Sequence, residues 1–203
     1  MFQDVLRACR VLPVVTAKDV TSTVALARAL QRGGMAAIEI TLRTPAALDS
    51  IRAVQQEVPE LLVAAGTVNT PADLERVAQA GVKLALSPGA TPDLLRAAAQ
   101  AEIDFIPGVA TASELMVGIG HGFEVFKLFP AAALGGTAML RALGGPFPDV
   151  LFCPTGGLNP DNFRDYLDLP NVICCGGSWM VAGELVDNGH WEQIEALARV
   201  AMA

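Results

Sequence analysis

The segment VLPVVTAKDVTSTVALARALQRGGMAAIEITL, residues 11–42, contains the unit from which the rest of the chain is built. Residues 11–15 are apolar and rich in valine, as in a buried strand, and residues 19–31 carry the apolar periodicity of a helix. That helix is predicted to end at Gly33-Gly34, and residues 37–42 form a second apolar strand. The segment therefore predicts a strand, a helix and a second strand, which is the unit of a parallel sheet.

The same alternation continues along the chain and gives eight strand–helix units. We predict later strands at residues 61–65, 82–86, 104–107, 123–129, 150–153 and 172–175, and later helices from Pro45, at 71–80, at 92–101, from Ala112, at 137–143, at 159–167 and from Ser178. Pro45, Pro71, Pro92 and Pro160 each suit the first turn of a helix, where proline loses no hydrogen bond.

Eight such units after a short helix at residues 2–9 predict an α/β fold, a single-domain (β/α)8 TIM barrel over residues 1–203. The alternative is an open, doubly wound sheet. That arrangement requires a reversed strand order, and no G-x-G-x-x-G sequence follows the first strand.

The composition predicts a folded, acidic protein. Of the 203 residues, 52% are hydrophobic and 17% are charged, so an unstructured chain is not expected. No apolar run reaches the roughly 18 residues that a membrane helix needs, so no membrane association is expected. A net charge of −7 without a basic cluster argues against a nucleic-acid partner.

Two features predict a cytoplasmic location. The segment Met1-Phe2-Gln3-Asp4 lacks the charged and apolar regions of a signal peptide. Cys9, Cys153, Cys174 and Cys175 form no Cys-x-x-Cys pair and are expected to be buried free thiols in a reducing compartment. Because the two histidines lie far apart in the sequence, no metal site is predicted, and we expect no cofactor.

Lys127 lies in the apolar strand Phe126-Lys127-Leu128-Phe129-Pro130, and the chain has only two other lysines. A buried ammonium is costly, so such a lysine is expected to be paired, neutral or used in chemistry. Burial favours the neutral amine, which is the form that attacks a carbonyl carbon. Because active sites of these barrels lie at the carboxyl ends of the strands, Lys127 is a candidate Schiff-base lysine. The alternative is a lysine at a strand end whose ammonium group reaches water.

The second strand carries polar groups at alternate positions, and Glu39, Thr41 and Arg43 share one face. If that face points into the barrel, a carboxylate and a guanidinium converge with Lys127. Glu39 is then the candidate general acid and base, and Arg43 is suited to hold a substrate carboxylate. Thr67, after the third strand, offers a hydroxyl to the same carboxylate. The alternatives are a structural Glu39–Arg43 pair and a Thr67 that only caps the next turn.

Two glycine-rich turns are predicted after the last two strands. Thr155-Gly156-Gly157 follows the seventh strand and Gly176-Gly177-Ser178 follows the eighth. Loops after these two strands commonly form the phosphate site of a (β/α)8 barrel. Glycine lets backbone N–H groups approach an anion closely, and Ser178 suits a helix N-cap whose hydroxyl also contacts phosphate. Two tight turns without a ligand are the alternative.

Taken together, these residues resemble the bacterial 2-keto-3-deoxy-6-phosphogluconate (KDPG) and 4-hydroxy-2-oxoglutarate aldolases, a class I family. The resemblance covers nearly the whole chain, and its motifs are highly specific as a set. The segments that carry it are IEITLRT (38–44), AGTV (65–68), SPG (87–89), PGVAT (107–111), FKLFPA (126–131), PTGG (154–157) and GGSWM (176–180).

The resemblance implies reversible cleavage of KDPG to pyruvate and glyceraldehyde 3-phosphate, and also of 4-hydroxy-2-oxoglutarate to pyruvate and glyoxylate. It implies a homotrimer without a metal. The catalytic residues it implies are Lys127, which forms the Schiff base, and Glu39, which transfers protons. It further implies substrate binding by Arg43 and Thr67 at the carboxylate, Phe129 at the pyruvate methyl group, Thr155 at substrate oxygens, Gly156, Gly157 and Ser178 at the phosphate, and also by Pro88, Gly176 and Gly177.

Two positions depart from the usual pattern of the family. Ala132 stands where the family often has glutamate, and Ala112 stands where it often has proline. Three other functions are left open: cleavage of the galactonate-derived epimer, isomerase or epimerase chemistry on a sugar phosphate with Glu39 as base, and phosphate binding without catalysis.

Overall fold

The computed structural model describes residues 2–203, which form nine strands and ten α-helices. The strands are β1 (Val11–Val15), β2 (Ala37–Thr41), β3 (Leu62–Gly66), β4 (Leu84–Leu86), β5 (Asp104–Ile106), β6 (Gly108–Val109), β7 (Val125–Leu128), β8 (Leu151–Phe152) and β9 (Cys175–Gly177). The helices are α1 (Phe2–Cys9), α2 (Val20–Arg32), α3 (Ala47–Glu57), α4 (Pro71–Gln79), α5 (Pro92–Gln100), α6 (Ala112–Gly120), α7 (Gly136–Gly144), α8 (Phe163–Leu167), α9 (Gly183–Asp187) and α10 (Trp191–Met202). Short 3-10 helices lie at Ala132–Leu134 and Trp179–Val181.

The strands are parallel and form two curved sheets. One sheet has the order β5-β4-β3-β2-β1-β9 and the other β6-β7-β8, so strands β1 to β5 and β6 to β8 are neighbours in chain order. This succession differs from a doubly wound sheet, whose strand order reverses. Only Pro107 separates β5 from β6, and its carbonyl oxygen accepts a hydrogen bond from the Lys127 N–H at 2.9 Å. The α/β class with a parallel sheet is therefore confirmed.

Helix starts follow the expected capping chemistry. The Asp19 side chain caps α2, and Thr70 and Thr111 cap α4 and α6 with reciprocal capping boxes. Pro71 and Pro92 occupy first helical turns as predicted. In the described range no helix combines the length and apolarity needed to cross a membrane.

The buried side chains form one continuous hydrophobic cluster between the strands and the helices. Phe126 of β7, Phe152 of β8 and Phe163 of α8 are among its largest fully buried members. The four cysteines lie in this interior as free, buried thiols, as predicted. The polar side chains buried with them are few, and Lys127 and Glu39 are two of them.

Several element boundaries differ from the prediction. Pro45 and Pro160 lie in turns before α3 and α8, not in a first helical turn. Near Pro160, the Asn162 side chain accepts from the Asn159 N–H and the Asn159 side chain accepts from the Asp161 N–H, local bonds that compete with a helix. Strand β6 and the long α10 lie outside the predicted elements.

The eighth predicted strand also ends later than expected. Gly176 and Gly177 lie inside β9 and are buried, so their predicted position in a loop is wrong. The helix predicted from Ser178 is a 3-10 turn followed by α9, and Ser178 makes no side-chain cap. The contacts of both glycines, described below, explain why they belong to the strand.

Candidate active site

A buried ion pair connects the two sheets. The Lys127 Nζ atom on β7 lies 2.9 Å from Oε1 and 3.2 Å from Oε2 of Glu39 on β2. The two side chains are 5% and 1% exposed. The structure thus brings the two predicted catalytic residues together. It also contradicts two alternatives, because Lys127 does not reach water and Glu39 pairs with Lys127 and not with Arg43.

Small residues on β3 make room for Glu39. A Cβ atom built on Gly66 would lie 2.1 Å from Oε1 and 2.7 Å from Cγ of Glu39. Ala64 is the parallel partner of Glu39 in the sheet, and Ala65 follows it. Gly66, on the same face of β3 as Ala64, is therefore the sequence signal for a carboxylate that projects past this strand, although sequence reasoning did not use it.

Strand alternation places Thr41 and Phe129 just beyond the ion pair. Thr41 Oγ1 donates to the Val15 carbonyl oxygen at 2.9 Å and lies 3.4 Å from Thr16 Oγ1. The Lys127 Nζ atom lies 5.8 Å from the centroid of the Phe129 ring. Phe129 therefore forms an apolar wall near the amine, while the Thr41 hydroxyl is occupied by the backbone of β1.

A cavity of about 800 Å³ opens beside these residues. Its size is that of a small-molecule site. Eight of the predicted site residues line it: Arg43, Phe129, Thr155, Gly156, Gly157, Gly176, Gly177 and Ser178. It is also lined by Lys18, Trp179 and Asp187, which sequence reasoning did not assign to the site.

The turn after β8 is shaped by its two glycines. Gly156 and Gly157 have φ angles of 98° and 80°, in the left-handed region that favours glycine. A Cβ on Gly157 would lie 2.5 Å from Ala132 Cβ, and one on Gly156 would lie 3.3 Å from the Phe129 ring. The Ala132 N–H donates to the Gly156 carbonyl oxygen at 3.0 Å. The turn is therefore held against the segment after β7, with bare backbone facing the cavity.

The glycines of β9 have a different role: they allow neighbouring side chains to pack directly against the strand backbone. A Cβ on Gly176 would lie 2.2 Å from Thr155 Oγ1, and one on Gly177 would lie 2.0 Å from the Trp179 ring. Thr155 is only 6% exposed and pairs with Gly176 in a parallel bridge. Ser178, directly after the strand, is exposed at the cavity wall.

Four predicted site residues are not among the residues that line the cavity: Glu39, Lys127, Thr67 and Pro88. Thr67 has a φ of 60°, directly after β3, and the side chain that caps α4 is that of Thr70. Pro88 contacts β6, because a Cβ on Gly108 would lie 2.3 Å from the Pro88 carbonyl carbon. Thr67 and Pro88 therefore border strands next to Glu39 or Lys127.

Two thiols lie close to the ion pair. The Cys174 thiol donates to Cys153 Sγ at 3.3 Å, and Cys153 Sγ is 3.9 Å from Thr155 Oγ1. The hydrogen bond from Cys174 lowers the pKa of Cys153, and the charge of Lys127 acts in the same direction. The same bond, and after it burial, raise the pKa of Cys174 well above its ordinary value. Both side chains are fully buried.

A lysine amine on a buried carboxylate, beside a cavity bordered by glycine backbone, is an arrangement that suits an enzyme acting on a carbonyl compound through a lysine. Comparison with known proteins identifies the family. The family model described as KDPG and KHG aldolase matches residues 2–197. The chain therefore belongs to the KDPG and KHG aldolase family.

Similarity to individual proteins extends over almost the full chain. The 2-dehydro-3-deoxy-phosphogluconate aldolase of Pseudoalteromonas atlantica is 50% identical over 201 residues, 99% of this chain and 94% of that protein. The KHG/KDPG aldolase of Escherichia coli is 48% identical over 98% of this chain and 94% of its own length. The KDPG aldolase of Legionella pneumophila, with pyruvate captured at low pH as a covalent carbinolamine intermediate, has a TM-score of 0.96 at 46% identity and coverage of 99% and 98%.

The contact between Gly66 and Glu39 gives a first prediction. In Gly66→Ala the new methyl group has to displace the Glu39 carboxylate, and a displacement of about 1 Å costs an active site roughly 100-fold in rate. We expect kcat for aldol cleavage to fall by about that factor while the far-ultraviolet circular dichroism is unchanged. Gly120→Ala is the matched control, because a Cβ there meets no atom within 4 Å. Equal activity of the two variants would show that the position of Glu39 does not limit catalysis.

Proposed function

We propose that this protein is a class I aldolase that cleaves KDPG to pyruvate and glyceraldehyde 3-phosphate and also accepts 4-hydroxy-2-oxoglutarate. The observation that carries the proposal is the buried Lys127–Glu39 contact, at 2.9 Å, beside the glycine-lined cavity. Membership of the aldolase family makes the protein a carbon–carbon lyase. The carbinolamine of pyruvate reported for the Legionella pneumophila relative supports the same chemistry here.

The proposed reaction begins at the ion pair. When Glu39 accepts a proton from Lys127, the neutral amine attacks the keto carbon of the substrate and forms a carbinolamine. Loss of water gives an iminium ion, which withdraws electrons from the adjacent carbon atoms. Glu39, whose oxygens lie 2.9 and 3.2 Å from Nζ, is in reach of the same atoms and is the general acid and base.

Bond cleavage then follows from the iminium ion. A base removes the proton of the C4 hydroxyl, the C3–C4 bond breaks, and its electrons form an enamine as the aldehyde leaves. Protonation of C3 and hydrolysis of the imine release pyruvate and restore the lysine. We assign the proton transfers to Glu39, because it is the buried carboxylate that contacts Lys127.

The remaining groups are assigned to substrate binding. Arg43 at the cavity wall binds the carboxylate together with Thr67, and Phe129 packs on the methyl side of pyruvate. Thr155 bonds substrate oxygens. The bare backbone at Gly156 and Gly157, with the exposed Ser178 hydroxyl, binds the phosphate, and Pro88, Gly176 and Gly177 complete the surroundings.

We also propose that the two sheets close into one (β/α)8 barrel over residues 1–203. Three contacts support closure: the single-residue step at Pro107 between β5 and β6, the parallel bridge between Thr155 and Gly176, and the Lys127–Glu39 pair that spans the interior. The four buried thiols support the predicted cytoplasmic location.

The predicted homotrimer also remains a proposal. Helix α6 exposes Met116 (62%), Val117 (44%) and Ile119 (39%), an apolar surface that association of subunits would cover. Sedimentation equilibrium at micromolar concentration is expected to give three times the chain mass of 21.2 kDa. A stable monomer would remove this proposal without affecting the proposed chemistry.

Trapping of the imine separates an aldolase from an isomerase that uses Lys127 only as a charge. Borohydride reduction in the presence of pyruvate is expected to attach a pyruvyl group to Lys127, as shown by peptide mass mapping. Lys127→Arg keeps the charge but forms no imine, so we expect neither adduct nor cleavage activity. Lys83→Arg, at an exposed residue, is the control. A folded wild-type protein without an adduct would favour the isomerase alternative.

Substrate preference is tested with the two epimers. We expect kcat/KM for the gluconate-derived keto acid to exceed that for the galactonate-derived epimer by at least tenfold. The epimers differ in the configuration of one hydroxyl. A site that hydrogen-bonds this hydroxyl in one configuration loses the bond in the other, and loss of such a bond discriminates strongly. Coupled assays of pyruvate release with each pure epimer measure the ratio, and equal values would refute the proposed specificity.

A further inference from the structure

Lys18 and Asp187 form an ion pair at the cavity that the proposed chemistry does not use. The Lys18 Nζ atom lies 2.7 Å from Asp187 Oδ1, and both residues line the cavity. Their side chains are 68% and 49% exposed. An exposed pair of this kind contributes little to stability, so it is readily broken when a stronger partner for the lysine arrives.

Strand register places Lys18 next to the proposed phosphate site. Strand β1 pairs with β9 in parallel, with Leu12 opposite Gly176 and Pro13 opposite Gly177. The loop that follows β1 and carries Lys18 therefore runs beside the segment that follows β9 and carries Ser178. Asp187 ends α9, which follows the same segment.

The backbone around Lys18 is held in place while its side chain remains exposed. Thr44 Oγ1 donates to the Ala17 carbonyl oxygen at 2.6 Å. On the other side, the Asp19 carboxylate accepts from the Ser22 N–H at 2.8 Å and caps α2. Only the lysine side chain has to move for its ammonium group to change partner.

The charge of a substrate phosphate also requires a positively charged side chain at the end of the cavity where the phosphate is proposed to bind. The protein groups assigned so far to phosphate binding are backbone N–H groups and one hydroxyl, and all of them are neutral. A phosphate monoester, in contrast, carries a charge of about −1.5 to −2. Among the described residues that line the cavity, the cations are Lys18 and Arg43, and Arg43 is assigned to the carboxylate. Asp187 also lines the cavity and repels a phosphate, which makes a cation at this end more necessary. Asp187 raises the pKa of Lys18, so the amine stays charged at neutral pH.

We infer that Lys18 leaves Asp187 to bind the phosphate of the substrate, and that this exchange makes Lys18 a specificity-determining residue for phosphorylated over unphosphorylated keto acids. The inference rests on the proposed function. Lys18 acts on binding of the phosphorylated half and not on the bond that breaks. It therefore affects KM for a phosphorylated substrate and leaves kcat and the reaction of 4-hydroxy-2-oxoglutarate unchanged.

The test compares KDPG with 4-hydroxy-2-oxoglutarate at low and high salt. Lys18→Gln is expected to raise KM for KDPG about fivefold, the size of one partly exposed charge contact, with kcat unchanged. Lys18→Arg is expected to restore most of the loss. Asp187→Asn is expected to lower KM for KDPG about twofold, because Lys18 no longer has to leave a carboxylate. Lys83→Gln is the control for loss of one positive charge far from the cavity.

Salt gives an independent readout. Added NaCl should raise KM for KDPG more in the wild type than in Lys18→Gln, because it screens the Lys18 contact. If Lys18→Gln leaves KM for KDPG unchanged, or raises KM equally for both substrates, the inference is overturned. Borohydride trapping with pyruvate on every variant keeps the two proposals apart. A normal Lys127 adduct with unchanged KM removes only the role of Lys18, whereas absence of an adduct in the wild type removes the aldolase mechanism.

Discussion

The buried contact between Lys127 and Glu39 is the constraint on which the site depends. Two opposite charges have been moved out of water, and the loss of solvation is offset only while both partners are present at hydrogen-bond distance. The pair joins β7 of one sheet to β2 of the other, so it fixes how the sheets face each other. The same closeness supports the proposed chemistry, because the carboxylate that pairs with the ammonium is also a base that could accept its proton and leave the amine free to react.

Glycine residues around the ion pair leave space that neighbouring groups occupy. Gly66 leaves room for the Glu39 carboxylate, Gly108 lets β6 approach the Pro88 backbone, and Gly176 leaves room for the Thr155 hydroxyl. Each site is one where a single methyl group would overlap a neighbour by about an ångström or more. Glycine at these positions thus lets polar and backbone groups pack closely beside the cavity, while the large apolar residues of the core remain.

Much of this arrangement could be predicted, because alternation and strand polarity are local rules. Polar residues at alternate positions of the second strand, among them Glu39, indicated one polar face, and Glu39 converges with Lys127 if that face points into the barrel. Boundaries were less predictable. The sequence Gly176-Gly177 is typical of a turn, but the need to accept Thr155 and Trp179 places both glycines in β9. The start of α8 was also not predicted correctly. Near Pro160, asparagine side chains accept hydrogen bonds from backbone N–H groups, and the chain forms a turn there and not a helix.

Lys18 lies in the loop after β1, and Asp187, 169 positions away in the sequence, carries no local signal that the two residues pair. Their pairing depends on the closure of β9 onto β1, a long-range contact that no short pattern encodes. Once that contact is known, the charged groups fall into a buried part and an exposed part of the site. The buried part is the Lys127–Glu39 pair, which lies beside the cavity and is not among the residues that line it. The exposed part holds Lys18 and Asp187, where electrostatic binding is weaker and adjustable. Selection between phosphorylated and unphosphorylated keto acids is therefore expected in the exposed part, because substrates with the same pyruvate half differ in charge at their other end.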